Sequence, residues 1–471
     1  MTSRSALDPA ACERARLARD ARFDGRFYTA VLSTGIYCRP ICPAPSPKPV
    51  NVRYYATAAA AAEAGFRPCL RCRPEASPGT PGWAGAPATV SRALKLIEAS
   101  ALDEGGVEDL AARLGMGSRH LRRLFLEHLG ATPVAIAQTR RVHFAKRLID
   151  ETTLPMTEIA LAAGFGSIRR FNGTFRNLYG RSPSELRGQR GAPARAKAAS
   201  TGSYCFRLEY RPPYDWNSLI AFLAARATPG VESVTPEEYR RSISMEEAHG
   251  TLAVRRAKGN SLEAEIHFPR PASLFRIVER VRRMFDLGAD PAAIAAALRP
   301  DPGMRPLLAA RPGLRVPGCW DGFELAVRAV LGQQVSVKAA TTLAGRVAEQ
   351  FGTKTDQGVL FPTAAALAAA DLSKVGLTSA RARTLTALSQ GVLEGLPLDD
   401  PAALVTLPGI GDWTAQYISL RLGEPDAFPS TDLYLRPFAA KAEAWRPWRA
   451  YAAMHIWAAS SNSPKNKKAA S

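Results

Sequence analysis

The run LPGIGDWTAQYISLRL, from Leu407 to Leu422, sets two glycines in a tight turn and follows them with apolar residues at helical spacing. A Gly-containing turn ahead of a helix N-terminus aims backbone N–H groups outward, which suits a phosphate oxygen of DNA. This is the hairpin of a helix-hairpin-helix motif, with Gly409 and Gly411 as the expected DNA contacts. Alone it is moderately specific, because many DNA-binding proteins use such a hairpin with no catalysis attached.

The rest of the composition agrees with a nucleic-acid partner. In 471 residues, 62 Lys and Arg stand against 42 Asp and Glu, a formal net charge of +20, which favours a polyanion; a GC-rich coding bias toward Arg, Ala and Pro is the bland alternative. No apolar run is long enough to span a bilayer and the N-terminus lacks a secretory segment, so a cytoplasmic, monomeric protein without membrane contact is expected. Of seven cysteines, four fall at metal-like spacing while Cys12, Cys205 and Cys319 are scattered, which speaks against a disulfide framework.

At roughly 150 residues per domain, the length implies three or four units. Pro/Gly-rich Pro74–Pro87 and aperiodic Gly188–Ser203 read as linkers. The expected architecture is multidomain, part α/β and part all-α. Residues 1–78 form a small four-cysteine zinc domain, 84–190 an all-α double helix-turn-helix domain, 203–290 a mixed α/β subdomain and 291–471 an all-α helix-hairpin-helix domain. Strands are predicted at Tyr204–Tyr210 and Leu252–Arg256, and helices within Asp321–Phe351 and Leu404–Leu422.

Cys38, Cys42, Cys69 and Cys72 form two close pairs on a segment long enough to fold back, and prolines at 40, 43 and 68 restrict the backbone around them. Four such thiolates close tetrahedrally on Zn2+; a purely structural staple is the ordinary reading of this spacing. The runs STGIYCRPIC, NVRYY and AGFRPCLRCRPE resemble the N-terminal domain of the Ada adaptive-response family over Phe23–Glu75. That resemblance implies repair of backbone methylphosphotriesters, with Cys38 as methyl acceptor and the other three cysteines completing the zinc ligands. Arg39, Lys48, Arg53, Arg67 and Arg71 are then expected as phosphate contacts or solvated charges.

EDLAARLGMGSRHLRRLFLEHLG, from Glu108 to Gly130, reads as two helices joined by a Gly turn, with Ser118 as the expected N-cap of the second. Leu121, Leu124 and Phe125 make its apolar face, and Arg119, His120, Arg122 and Arg123 its basic one. Thr157–Gly180 repeats the arrangement. Two copies in this order resemble the AraC family, which implies binding of promoter DNA, with RNA polymerase as a further expected partner. Ser167, Arg169, Arg170 and Asn172 are expected near base edges, phosphate contact or plain exposure being the alternatives.

YRPPYDW at Tyr210–Trp216, FLAARA at Phe222–Ala227, LGQQVSV at Leu331–Val337 and WRPWRAYAAMHIW at Trp445–Trp457, together with the hairpin, resemble the AlkA-type 3-methyladenine DNA glycosylases over nearly all of Tyr204–Trp457. The resemblance makes Asp432, in AFPSTDLYLR, the residue that faces the sugar of a flipped nucleotide in alkylated DNA. An N-cap is the bland reading of the same Asp. It also implies that Phe222, Trp413, Tyr417 and Trp457 line the lesion pocket, core packing being their alternative, and that Gln333 or Gln334 fills the gap left by the flipped base. Bifunctional relatives carry Lys where this chain has Trp413, so strand cleavage is not expected; no Cys follows Cys319, so no iron-sulfur cluster is expected either. Between Asp432 and Trp445 the chain is shorter than the family's usual connection, which predicts a truncated helix after Asp432.

The expectation is therefore a monofunctional glycosylase for alkylated purines that also accepts methyl groups and regulates transcription. A regulator whose glycosylase unit is an inactive DNA-binding remnant is the alternative from another class. The sequence carries no second acceptor Cys in a PCH-type motif, so repair of base oxygen lesions is not expected.

Overall fold

The computed structural model describes residues 7–78, 88–98, 101–188 and 202–460. Of the two expected linkers, 79–87 and 189–201 lie outside the described residues. The chain packs as two compact units, one of Met1–Pro212 with Ala257–Glu279 and Leu287–Ala289, the other of Pro213–Arg256, Arg280–Asp286 and Asp290–Ser471. The expected 203–290 subdomain thus contributes strands to both. No helix among the described residues is long and apolar enough to cross a membrane.

In the first unit the helix Pro9–Leu17 precedes a four-stranded sheet in the order Val52–Tyr55, Tyr28–Val31, Ile36–Cys38, Arg67–Pro68. Tyr28 and Tyr37 meet edge to face across its centre at 5.9 Å, a geometry that aromatic quadrupoles favour. These strands are two to four residues long, too short for an alternating pattern to announce them. Ala59 and Ala60 of the short helix Ala58–Glu63 join the core of the first helix-turn-helix, against Val90, Leu110, Leu121 and Phe125, so the zinc-type and helical modules share one apolar cluster.

The two helix-turn-helix copies are Val107–Arg113 with Ser118–Leu129, and Met156–Ala162 with Ile168–Tyr179, joined by Pro133–Glu151. Both second helices bury one stripe, Leu121, Phe125 and Leu129 in the first and Phe171, Phe175 and Tyr179 in the second, and stop at a glycine in the left-handed region, Gly130 and Gly180. Gly117, not Ser118, is the N-cap of the first, and no side chain caps it. Strand Ser203–Glu209 pairs antiparallel with Ser261–His267 in the same unit.

The second unit holds an antiparallel meander, Glu232–Val234, Glu238–Met245 and Ala248–Arg256, beside a helical body. Only the last of these three strands was legible as alternation. In the body, Gly322–Leu331 is buried almost throughout and packs with the helices Ser379–Leu393 and Asp412–Arg421 around Val330, Leu385, Leu388 and Ile418. That core fixes the hairpin and the Gly332–Gln334 turn.

Candidate functional site

Cys38 ends a strand, and Cys69 follows the strand parallel to it, with its N–H donated to the Tyr37 carbonyl at 3.0 Å. Tight turns bring in Cys42 and Cys72, through Cys42 N–H to Arg39 O at 3.1 Å and Arg73 N–H to Cys69 O at 3.2 Å. The four sulfurs lie within 4.8 Å of one another. Zn–S bonds of about 2.3 Å in a tetrahedron need sulfurs about 4 Å apart, so the set fits zinc. The four thiols are linked by hydrogen bonds: Cys38 is raised by its bond with Cys42 and Cys72 by its bond with Cys38, while Cys42 and Cys69 are lowered by theirs with Cys38. Cys69 and Cys72 are buried, whereas Cys38 and Cys42 are half-exposed.

Arg39 corrects a sequence expectation. It is 3% exposed and is no surface phosphate contact. Its backbone N–H donates to Cys72 Sγ at 3.3 Å, Nη1 to the Cys72 carbonyl at 3.1 Å, Nε to Asp24 Oδ1 at 2.9 Å, and Nη2 to the carboxylates of Asp24 and Glu209. Burial alone would lower this guanidinium's pKa, but the Asp24 and Glu209 carboxylates outweigh it and the net shift is upward. Lys48, Arg53, Arg67 and Arg71 are exposed.

On the second recognition helix Arg169 and Arg170 are exposed and Asn172 half-exposed, as a groove-reading face requires. Ser167 is the N-cap, its Oγ accepting the Arg170 N–H at 3.2 Å, so only its own O–H remains to donate. In the first copy Arg119, His120, Arg122 and Arg123 are exposed.

At the hairpin, Gly409 has φ +81, and a Cβ there would stand 2.1 Å from Thr384 Oγ1, so only glycine fits. Gly411 is the N-cap of Asp412–Arg421, and both glycines are exposed at the tip. Gln333 does not project from its turn: Nε2 donates to the Gly409 carbonyl at 2.9 Å and to Thr414 Oγ1 at 3.1 Å, and its own carbonyl accepts Arg381 Nη2 at 2.6 Å. Gln334 is exposed at φ +56. Of the two glutamines left open by sequence, it is the one free to reach outward.

Behind the hairpin stands an aromatic stack around Asp432. Trp413 and Tyr417 lie parallel, ring centres 5.2 Å apart and 4° between planes, with Trp457 tilted against Tyr417 at 6.3 Å. Both indoles point their N–H at one carboxylate, Trp413 Nε1 to Asp432 Oδ2 at 2.9 Å and Trp457 Nε1 to Oδ1 at 3.0 Å. The Tyr434 N–H adds a third donor to Oδ1 at 2.9 Å, so a turn-capping contact coexists with the indole clamp. The sequence reading took the tryptophans as stacking surfaces; their role as donors to Asp432 it missed.

Phe222 carries two guanidiniums near its ring, Arg226 at 3.8 Å and Arg421 at 4.9 Å from the centroid. Arg421 Nη1 also donates to Tyr417 Oη at 2.9 Å. Burial would raise the Tyr417 phenol, but the Arg421 and Arg226 cations prevail and its pKa is lowered. After Asp432 the chain makes only the 3₁₀ turns Arg436–Phe438 and Ala442–Trp445 before the helix Arg449–Ser460, in keeping with the predicted truncation.

Comparison with known proteins covers the whole architecture. Residues 11–75 match the family model for the metal binding domain of Ada, 110–189 a helix-turn-helix domain, 205–321 the AlkA N-terminal domain, and 327–457 the HhH-GPD superfamily of base excision DNA repair proteins. The chain is 38% identical over 277 residues, 54% of its own length and 96% of the other's, to DNA-3-methyladenine glycosylase 2 of Escherichia coli (strain K12). It is 40% identical over 153 residues, 32% of its length and 40% of the other's, to the bifunctional transcriptional activator/DNA repair enzyme Ada of the same strain. Over 473 residues, 95% of each chain, it is 42% identical to the probable bifunctional transcriptional activator/DNA repair enzyme AlkA of Mycobacterium tuberculosis (strain CDC 1551 / Oshkosh). A zinc-binding Ada-type module, a helix-turn-helix module and a glycosylase fold thus follow one another in a single chain, which belongs to the family of AlkA-type bifunctional transcriptional activator/DNA repair enzymes.

Proposed function

We propose that the chain excises alkylated purines such as 3-methyladenine from DNA as a monofunctional glycosylase, and that Cys38 separately accepts a methyl group from backbone phosphotriesters. The observation that carries the first activity is the double indole clamp on Asp432. An N-alkylated purine is a cation and already a good leaving group, so no strong general acid is required; electron-rich rings attract it into the pocket. As the N-glycosidic bond breaks, its electron pair leaves with the base, and the Asp432 carboxylate stabilises the positive charge left on the sugar. Water then adds at that carbon and loses its proton to solvent. Trp413 and Trp457 hold the carboxylate in place throughout, Gly409 and Gly411 offer N–H groups to the backbone phosphate, and Gln334 occupies the space the base has left.

When bound, zinc keeps the four cysteine sulfurs in their thiolate form at neutral pH. The Cys38 sulfur takes the methyl carbon, and the phosphate leaves with the bonding pair as a diester. A thioether has no ready reversal, so the transfer happens once per protein molecule. The helix-turn-helix surface supplies promoter binding, and RNA polymerase is the partner such binding serves; the protein works as a monomer.

Incubating the full-length protein with methylated duplex DNA, and measuring released bases and protein mass together, tests both activities. Released methylpurines together with one added methyl on the peptide containing Cys38 are expected. Absence of released bases would favour the regulator with an inactive glycosylase unit.

A further inference from the structure

We infer that Glu209, far along the chain from the cysteines, is a positioning residue of the Cys38 site and acts through Arg39. This rests on the methyl-acceptor reading above. Arg39 is the next residue after Cys38, and it gives its backbone N–H to one sulfur of the set and a side-chain N–H to the carbonyl of the same Cys72. One buried arginine, chain neighbour of Cys38, therefore holds Cys72 through both its backbone and its guanidinium.

Its partners come from two modules. Asp24, 3% exposed, lies ahead of the Ada-type sheet; Glu209 ends the strand Ser203–Glu209, inside the segment matched by the AlkA N-terminal domain, 170 residues from Arg39. The contact is anchored on both sides. Glu209 is in register with Ser261 on the neighbouring strand. Two residues on, Arg211 is 0% exposed and donates Nε to the Asp24 carbonyl at 2.7 Å and Nη1 to the Gly288 carbonyl at 2.7 Å. Asp24 is thus gripped by its side chain from Arg39 and by its backbone from Arg211.

The charge count gives the arrangement a chemical consequence. Arg39, Arg211 and Asp24 together carry one net positive charge, and Glu209 brings the four to neutral. A guanidinium that donates to the carbonyl of one cysteine of the set draws electron density toward itself, and a second carboxylate offsets that pull. A thiolate that must attack methyl carbon gains from the more negative surroundings, so a residue of the glycosylase-type segment tunes the acceptor. Glu209 is 25% exposed, and solvent screening keeps the effect moderate.

The test uses full-length, zinc-loaded protein and methyl iodide, a methyl donor too small to depend on DNA binding, with Cys38 methylation followed by peptide mass. Glu209→Gln keeps shape and removes charge; it should slow Cys38 methylation by about threefold or more, with zinc retention against a chelator close to that of the unmodified protein. Glu209→Asp should restore most of the rate. Unmodified rates in both Glu209→Gln and Glu209→Ala would overturn the inference. So would parallel loss of zinc and rate that Glu209→Asp fails to rescue, because that pattern is packing and not charge. If Cys38 of the unmodified protein itself resists methylation, the acceptor reading fails instead, and the two failures are told apart.

Discussion

Asp432→Asn is the substitution for which the structure gives the sharpest expectation. The carboxylate accepts three N–H groups, from Trp413 at 2.9 Å, Trp457 at 3.0 Å and Tyr434 at 2.9 Å. An amide has one acceptor oxygen: it can keep the two bonds at Oδ1, and its NH2 then meets the Trp413 N–H donor to donor. The charge lost matters more than the bond lost. Opposite charges about 4 Å apart at an effective dielectric of about 20 attract by about 4 kcal/mol, and preorganised electrostatic groups removed from active sites typically cost about 3–4 kcal/mol. Single-turnover excision of N7-methylguanine from duplex DNA should therefore fall about a thousandfold. The positive sugar exists only in the transition state, so DNA affinity should stay within about threefold.

Trp413→Phe separates the two contributions, since it retains a ring over Tyr417 and deletes one donor. A hydrogen bond to a charged group is worth about 1.5–3 kcal/mol, so a loss of about tenfold or somewhat more is expected. Excision by Asp432→Asn within about tenfold of the unmodified protein would refute the charge argument.

Four other outcomes are expected. Borohydride should trap no covalent complex between the unmodified protein and abasic DNA, and Trp413→Lys should not create efficient strand cleavage, because an amine in this position also needs suitable pocket geometry; a trapped complex of the unmodified protein would show lyase chemistry. Chelation of zinc, or Cys72→Ser, should loosen the Tyr28–Val31 sheet, seen as faster amide exchange there, while excision continues. Methylation of Cys38 removes one negative charge, so operator affinity should rise, and more at low salt; equal affinity at every salt concentration would exclude an electrostatic switch. Burial pushes the His455 imidazole down to about 4, so the folded protein resists a proton that the unfolded chain takes up near 6.5. Stability is then present above about 6.5 and is lost as pH falls toward 4, by about 3 kcal/mol at most. His455→Gln should lose less stability than the unmodified protein between about pH 7 and about pH 4.5 in denaturant titrations.

What was legible in the sequence was whatever depends on local spacing. The cysteine pairs, the hairpin glycines and the two amphipathic recognition helices show themselves within a few residues, and each stands where it was expected. The strands of the zinc module stayed hidden because two to four residues give no period, and two of the three meander strands of the second unit were also missed. Arg39 was misjudged for a different reason. Nothing near it shows that it is buried, since one of its carboxylates lies 170 residues away. Ser118 and Ser167 open equivalent helices, yet only Ser167 caps, a difference of one residue in register that turn geometry decides. Gln333 and Gln334 are indistinguishable as letters; the Gly409 carbonyl separates them by engaging the first.

The shortened segment after Asp432 was the one sequence feature that favoured an inactive glycosylase unit, and the structure shows why it does not displace the residue. Asp432 is not held by a following helix. Its oxygens are fixed by Trp413, on the hairpin helix Asp412–Arg421, and by Trp457, on the helix Arg449–Ser460. Both helices are fully formed, so the 3₁₀ turns Arg436–Phe438 and Ala442–Trp445 can replace a longer connection without moving the clamp. A protein that used this fold only to grip DNA would need the glycine tip of the hairpin and nothing behind it. Two indole donors converging on one carboxylate serve no phosphate contact, and they leave Asp432 half-exposed beside the stacked Trp413 and Tyr417 rings. If base release nevertheless proved absent with this clamp intact, the missing element would have to be pocket closure, and lengthening the 433–444 segment should then restore excision while DNA affinity stays unchanged.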